Sequence, residues 1–62
     1  MLRSLCKVID VDYSHGIIFA LGDYGEVIDV YWSGFIDLAE GDVIQVEYDI
    51  TLDQYHLILD DI

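Results

Sequence analysis

Apolar and polar residues alternate with a period of two along much of this chain, and this alternation restricts its fold more than any other feature. In the segment Val43–Ile50, one side of a strand would hold Ile44, Val46, Tyr48 and Ile50, and the other side would hold Gln45, Glu47 and Asp49. Side chains on a strand point to its two faces in turn, so the first set faces a core and the second faces solvent. Frequent β-branched and aromatic residues and the absence of proline also favour strands over helices.

Five segments carry strand signals, and turns that contain glycine separate several of them. The predicted strands are Ser4–Asp12, Ile17–Leu21, Glu26–Trp32, Val43–Ile50 and Tyr55–Leu59. The longest connection, Ser33–Ala39, is expected to hold one short helical or 3₁₀ turn, with Phe35 and Leu38 pointing inward. Five short strands at this spacing predict one all-β domain over residues 1–62, a single five-stranded antiparallel barrel that is either OB-like or SH3-like.

The small size and the unbalanced charge of the chain restrict how it is stabilised. It has 62 residues and one cysteine, Cys6, so an internal disulfide is excluded and a dense core or a homodimer must supply stability. There are 13 acidic residues and 2 basic ones, Arg3 and Lys7, for a formal net charge of −11. The acidic residues are interspersed among apolar runs, which is typical of a folded domain with a negative surface.

A surface of this charge repels nucleic acids and anionic membranes and attracts basic protein surfaces. No apolar stretch of the sequence reaches transmembrane length, and its first residues lack the apolar core of a signal peptide. We therefore expect a cytoplasmic protein without membrane association, located in the host cytoplasm if the chain is viral.

Three segments, in this order along the chain, carry a resemblance to a known family: His15–Phe19 (HGIIF), Ser33–Phe35 (SGF) and Leu38–Glu47 (LAEGDVIQVE). The chain resembles the cold-shock domain, a five-stranded OB-fold that binds single-stranded nucleic acid. The cold-shock family has the sequence K-G-F-G-F where this chain has its first segment, His15–Phe19. The third segment of this chain is similar to the family's sequence at the start of its fourth strand. The resemblance covers nearly the whole chain and implies an OB-like barrel.

The residues that bind nucleic acid in that family are largely replaced in this chain. Aromatic residues of the family's binding face stand at the positions of Asp10, Ile17 and Asp29. Only Phe19 stays aromatic, Tyr31 replaces a histidine, and the family's lysines are missing. Carboxylates at these positions repel phosphates, so the resemblance implies the fold and argues against direct nucleic-acid binding.

Catalytic and metal sites have little support in the sequence. His15 and His56 lie in different segments without a serine or cysteine partner nearby, and Cys6 alternates with Val8 as a small core residue. The acidic pairs lack the spacing of a calcium loop, and no Cys/His cluster offers a zinc site. We therefore predict a protein that is not an enzyme and that needs no cofactor or metal.

The leading functional prediction is an acidic interaction module that binds a basic protein surface. The expected partner is a nucleic-acid-binding protein. In its sharpest form the module is a nucleic-acid mimic, similar in composition to the small acidic inhibitors of phages and mobile elements. The predicted contact residues are Asp10, Asp12, Tyr13, Asp29, Tyr31, Glu47, Asp49 and Asp60. The alternatives are an OB-type single-stranded nucleic-acid-binding module and a structural or assembly subunit of an oligomer.

Overall fold

The structure is a computed structural model that describes residues 2–58, with the backbone alone described at Leu2. Its strands are β1 (Leu2–Asp12), β2 (Ile17–Leu21), β3 (Val27–Tyr31), β4 (Val43–Asp49) and β5 (Gln54–Leu57). All five predicted strands are confirmed, with ends that differ by no more than two residues where the structure describes them. The predicted end of the fifth strand, Leu59, lies outside the described residues.

The strands close into a barrel in the order β1-β2-β3-β5-β4. The pair β3/β5 is parallel, with Val30 opposite Tyr55 and Tyr31 opposite His56, and the other four pairs are antiparallel. The expectation of a purely antiparallel barrel is therefore wrong at this one pair. A closed ring with an odd number of strands cannot alternate in direction at every pair, so closure of five strands requires a parallel one. The closed five-stranded barrel is consistent with the OB-like prediction.

The inward side chains of the strands form one core, to which the connection between β3 and β4 adds Ile36. The buried residues are Cys6, Val8, Ile18, Ala20, Val30, Ile36, Ile44 and Val46. Complete burial of a side chain the size of Val30 or Val46 stabilises the fold by about 1.5–3 kcal/mol. The predicted alternation holds along β4 but ends with the strand, since Ile50 lies beyond it and is largely exposed.

A β-bulge in β1 decides which way its acidic residues point. The register between β1 and β2 shifts between Val8 and Asp10, so Ile9 is an extra residue. Uninterrupted alternation from the buried Val8 would point Asp10 and Asp12 into the core. The bulge reverses the phase, so that Val11 packs against the core and both aspartates face outward.

The connection between β3 and β4 differs from the expectation. No helical turn lies in Ser33–Ala39, so that prediction is wrong. Leu38 packs against the core as predicted, but Phe35 is 91% exposed and its neighbour Ile36 takes the inward position. Phe35 and Leu38 would share an inward face only on a helical turn. Without that turn, Ile36 keeps the inward parity of Val30 and Phe35 points outward.

Candidate protein-interaction face

Four of the eight predicted contact residues lie together on the outer surface of β1, β2 and β3. In one row across these strands, Asp10 is in register with Phe19, and Phe19 is in register with Asp29. Both carboxylates are exposed, whereas the ring between them is half-buried. A second outward row lies two residues further along each strand. We call this surface the β1–β3 face, and it consists of Asp10, Asp12, Ile17, Phe19, Asp29 and Tyr31.

An apolar stripe runs along the middle of the β1–β3 face. The outward side chains of β2 are Ile17, Phe19 and Leu21, and all three are apolar. The sequence-based list of contact residues missed this stripe. Its signal was present, because Ile17–Leu21 is apolar at every position, which is typical of a strand that is covered on both faces. Among residues 2–58, only the inner face of β2 is fully covered, since Ile18 and Ala20 are buried and the outward side chains keep some exposure.

Asp12 has a structural role in the turn between β1 and β2. Its Oδ1 accepts hydrogen bonds from the backbone N–H groups of Ser14 and His15 at 3.1 and 3.2 Å, and its Oδ2 lies 2.8 Å from Nδ1 of His15. The side-chain hydrogen bond with His15 is the main cause that lowers the pKa of Asp12. The Asp12 carboxylate therefore stays ionised and is partly occupied by the turn that it stabilises.

Tyr13 lies beside the β1–β3 face and fastens the long connection to the barrel. Its hydroxyl donates a hydrogen bond to the Leu38 carbonyl at 3.1 Å, and its ring packs edge-on against Trp32 with centroids 6.1 Å apart. The Trp32 indole N–H in turn donates to the Gly34 carbonyl at 3.1 Å. Both rings are thus held by structural contacts, although Tyr13 keeps an exposed surface that a partner can reach.

The remaining predicted contact residues lie away from the β1–β3 face. Glu47 is on β4, where Arg3 Nε lies 3.3 Å from its Oε2 and compensates its charge. Asp49 ends β4, and its Oδ1 accepts hydrogen bonds from the backbone N–H groups of Thr51 and Leu52 at 2.9 and 3.2 Å. Asp60 lies outside the described residues. The structure therefore does not bring these three residues together with the other five.

Two further groups lie on the outside of the barrel near the face. His56 is half-buried and packs against Tyr31 with ring centroids 6.4 Å apart. Its Nε2 atom is buried without a hydrogen-bond partner among residues 2–58. Lys7 is exposed and in register with Leu21, so one cation borders the β1–β3 face next to the Asp10–Phe19–Asp29 row.

Within the described part of the chain, no group of three or more His, Cys, Asp or Glu side chains is arranged to hold a metal ion. The buried Cys6 thiol has a pKa raised chiefly by its burial, which makes it a poor nucleophile at neutral pH. Residues 2–58 also contain no helix that is long and apolar enough to cross a membrane.

No family model matches the sequence, and no curated protein matches it either. The resemblance to the cold-shock domain is therefore supported at the level of the small closed barrel only. The arguments for function rest on the geometry and charge of the β1–β3 face.

Proposed function

We propose that this chain is an acidic protein-interaction module whose β1–β3 face binds a basic surface of another protein. The observation that carries the proposal is the row in which Phe19 lies between Asp10 and Asp29. An apolar ring bordered by carboxylates offers a partner both a contact that excludes water and two acceptors for Arg or Lys side chains. Such a combination suits a protein surface with a small apolar area ringed by basic residues.

In the sharper form of the proposal, the face imitates nucleic acid and inhibits a nucleic-acid-binding protein, as an inhibitor of phage or mobile-element type would. Neighbouring strands lie about 4.8 Å apart, so Asp10 and Asp29 display charges about 10 Å from each other across β2. Asp12 adds a third charge about 6.6 Å along β1 from Asp10. Carboxylates on a rigid sheet can occupy phosphate sites without the cost of ordering a flexible chain.

Single-stranded nucleic-acid binding is the weaker candidate for the same face. Phe19 and Tyr31 would be its stacking surfaces, but Asp10 and Asp29 flank the first of these rings. Arg3 is paired with Glu47 on another side of the barrel, which leaves Lys7 as the nearest free side-chain cation among residues 2–58. Phosphates approaching this face would meet mainly repulsion.

The test compares two variants with the same change in net charge. Asp10→Asn with Asp29→Asn neutralises the β1–β3 face, and Asp23→Asn with Glu40→Gln neutralises two exposed carboxylates that lie in turns outside it. Each variant and the unchanged protein would be used as bait in a nuclease-treated lysate of the source organism, at low and high salt. Captured proteins would then be purified, and their affinity for each bait measured by titration.

We expect a basic partner that binds the unchanged protein and the Asp23→Asn/Glu40→Gln variant with similar affinity. It should bind the Asp10→Asn/Asp29→Asn variant at least tenfold more weakly, as the loss of two charge-assisted contacts implies. Equal losses in both variants would show that net charge alone drives binding and would overturn the assignment of the face. In the mimic form, the protein also displaces labelled DNA or RNA from the partner. Direct binding of a single-stranded oligonucleotide by the unchanged protein would instead favour the nucleic-acid-binding alternative.

A further inference from the structure

A second surface with a different character lies between β4, the first half of β1 and the connection between β3 and β4. It is a groove of about 580 Å³, a size in the range of sites that hold ligands or partner side chains. Its lining residues are Leu5, Phe35, Ile36, Asp37, Leu38, Val43, Ile44, Gln45, Leu57 and Ile58. None of the six residues of the β1–β3 face lines it, so it is a separate site.

The rim of the groove is unusually apolar for a solvent-facing surface. Phe35 is 91% exposed, Val43 is 67% exposed and Leu5 is 61% exposed, and all three line the same groove. Single exposed apolar residues are ordinary, but several around one concave site indicate a surface that is covered in use. The buried Ile36 and Ile44 contribute to the lining beneath them, which gives an incoming apolar side chain a preformed place to pack.

The charge around the groove indicates what covers it. Among residues 2–58, Asp37 is the only ionisable side chain in the lining, and the exposed Glu40 and Asp42 follow it in the same connection. The exposed Lys7, in register with Val43, offsets one of these three charges and leaves the surroundings of the groove negative. A second copy of this chain is a poor occupant, because each copy carries a formal net charge of −11 and the two would repel each other. A partner segment with Lys or Arg beside its apolar residues would gain attraction instead.

We propose that this groove docks a short segment of another protein in which apolar anchor side chains are followed by Lys or Arg. The anchors pack between Phe35 and Val43, and the basic residues face Asp37. The side-chain amide of Gln45, in the lining between the apolar residues, can hydrogen-bond the backbone of the docked segment. The inference goes beyond the β1–β3 face, since it assigns a second, independent binding site to the barrel.

The experiment selects random phage-displayed dodecapeptides on the immobilised full chain and measures the affinity of synthetic copies of the enriched peptides. The groove variants are Phe35→Ala and Val43→Ser, which alter exposed side chains and should leave the fold intact. The matched control is Ile50→Ala, which removes an equally exposed apolar side chain that does not line the groove. Circular dichroism of each variant confirms that its barrel is folded.

We expect enriched peptides to contain apolar residues next to Lys or Arg, and to bind Phe35→Ala about tenfold more weakly, as truncation of a central aromatic contact does. Their affinity should be unchanged in Ile50→Ala and in the Asp10→Asn/Asp29→Asn variant, which separates this site from the β1–β3 face. Peptides without basic residues, or peptides that bind the groove variants as well as the unchanged protein, would overturn the proposal. A dimer in sedimentation equilibrium that Phe35→Ala dissociates would overturn it too, since a second copy would then fill the groove.

Discussion

Replacement of Asp10 and Asp29 by asparagine is expected to stabilise the domain, although the same change should weaken partner binding at least tenfold. An asparagine side chain has nearly the shape of an aspartate, and its oxygen can still accept the hydrogen bond that Asp10 Oδ1 accepts from the Val11 backbone N–H at 2.9 Å. The main physical change is therefore the loss of two negative charges from a surface with a large excess of negative charge.

The size of the gain follows from the net charge and the dimensions of the barrel. After one carboxylate is neutralised, the formal net charge is −10 (−11 + 1), within extents of 26 × 25 × 25 Å. At a mean separation of about 15 Å, the repulsion of one carboxylate by ten like charges is roughly 3 kcal/mol in water without salt. The folded radius of gyration is 10.8 Å. An unfolded chain of this length has about twice that radius, so roughly half of the repulsion remains after unfolding.

Each neutralised carboxylate should therefore raise the free energy of unfolding by roughly 1.5 kcal/mol at very low salt, and by about 0.5 kcal/mol at about 0.1 M salt, where the screening length is about 10 Å. Urea unfolding of the double variant, followed by the fluorescence of the half-buried Trp32, measures this gain at several salt concentrations. The Asp23→Asn/Glu40→Gln variant should gain a similar amount, because the repulsion is spread over the whole surface.

A loss of stability in the Asp10→Asn/Asp29→Asn variant would refute this reasoning, and so would a gain that does not shrink as salt is added. Either result would show that the two carboxylates make structural contacts that matter more than their mutual repulsion. The expected result, a more stable protein that binds its partner more weakly, would show that the acidic face is kept at the expense of stability. Residues retained for function often lower the stability of the fold in this way.

Three further predictions concern the core and two hydrogen-bonded side chains. Ile18→Ala should lower the free energy of unfolding by about 2–5 kcal/mol, which thermal unfolding would show as a large fall in melting temperature, since about 3–9 kcal/mol is typical of a domain this size. Because the pKa of Asp12 is lowered, chiefly by its hydrogen bond with His15, its stabilising effect should be complete above its ordinary value of 3.8 and lost as pH falls further. The difference in melting temperature between the unchanged protein and Asp12→Asn should therefore shrink below about pH 4. The hydrogen bond that Tyr48 donates to Asp53 raises the pKa of Tyr48 above its ordinary 10.0. The unchanged protein should therefore be more stable than Tyr48→Phe up to pH 10, and this difference in stability should vanish at higher pH.

The first of these predictions has a neighbouring control, and a definite result would contradict each of the other two. Ile17→Ala alters the neighbour of Ile18 that points outward and should lose much less stability. An acid dependence of Asp12→Asn equal to that of the unchanged protein would show that the turn does not need the charged carboxylate. A Tyr48→Phe variant that is as stable as the unchanged protein at neutral pH would show that the hydroxyl contributes nothing to the barrel.

Much of the barrel could be predicted from local sequence alone. The alternation in Val43–Ile50 and the apolar run Ile17–Leu21 placed their strands to within one residue of the observed ends, because side-chain direction along a strand depends only on position. The same rule correctly placed Ile44 and Val46 in the core. The acidity is likewise a property of composition, and it points to basic partners whatever the fold.

Other features depend on contacts between residues far apart in the chain. The bulge at Ile9 turns Asp10 and Asp12 outward, and it exists because β1 must pair with β2 while its side chains fill the core. The local sequence alone does not predict this bulge. The connection between β3 and β4 has no helical turn, so Ile36 rather than Phe35 packs against the core. Its path depends on contacts with distant residues, such as the hydrogen bond from the Tyr13 hydroxyl to the Leu38 carbonyl.

The candidate site shows the same division. Composition alone predicted carboxylates and tyrosines on the surface, and alternation along β3 puts Asp29 and Tyr31 on its outer side, whereas Asp10 and Asp12 face outward only because of the bulge in β1. Only the register of three strands placed Phe19 between Asp10 and Asp29, and only closure of the barrel put Glu47 on another side, beside Arg3. Which residues share a face is set by strand pairing across long sequence separations. Which residues face outward is set by a single strand where that strand is regular, as in β4, and by pairing where a bulge interrupts it, as in β1.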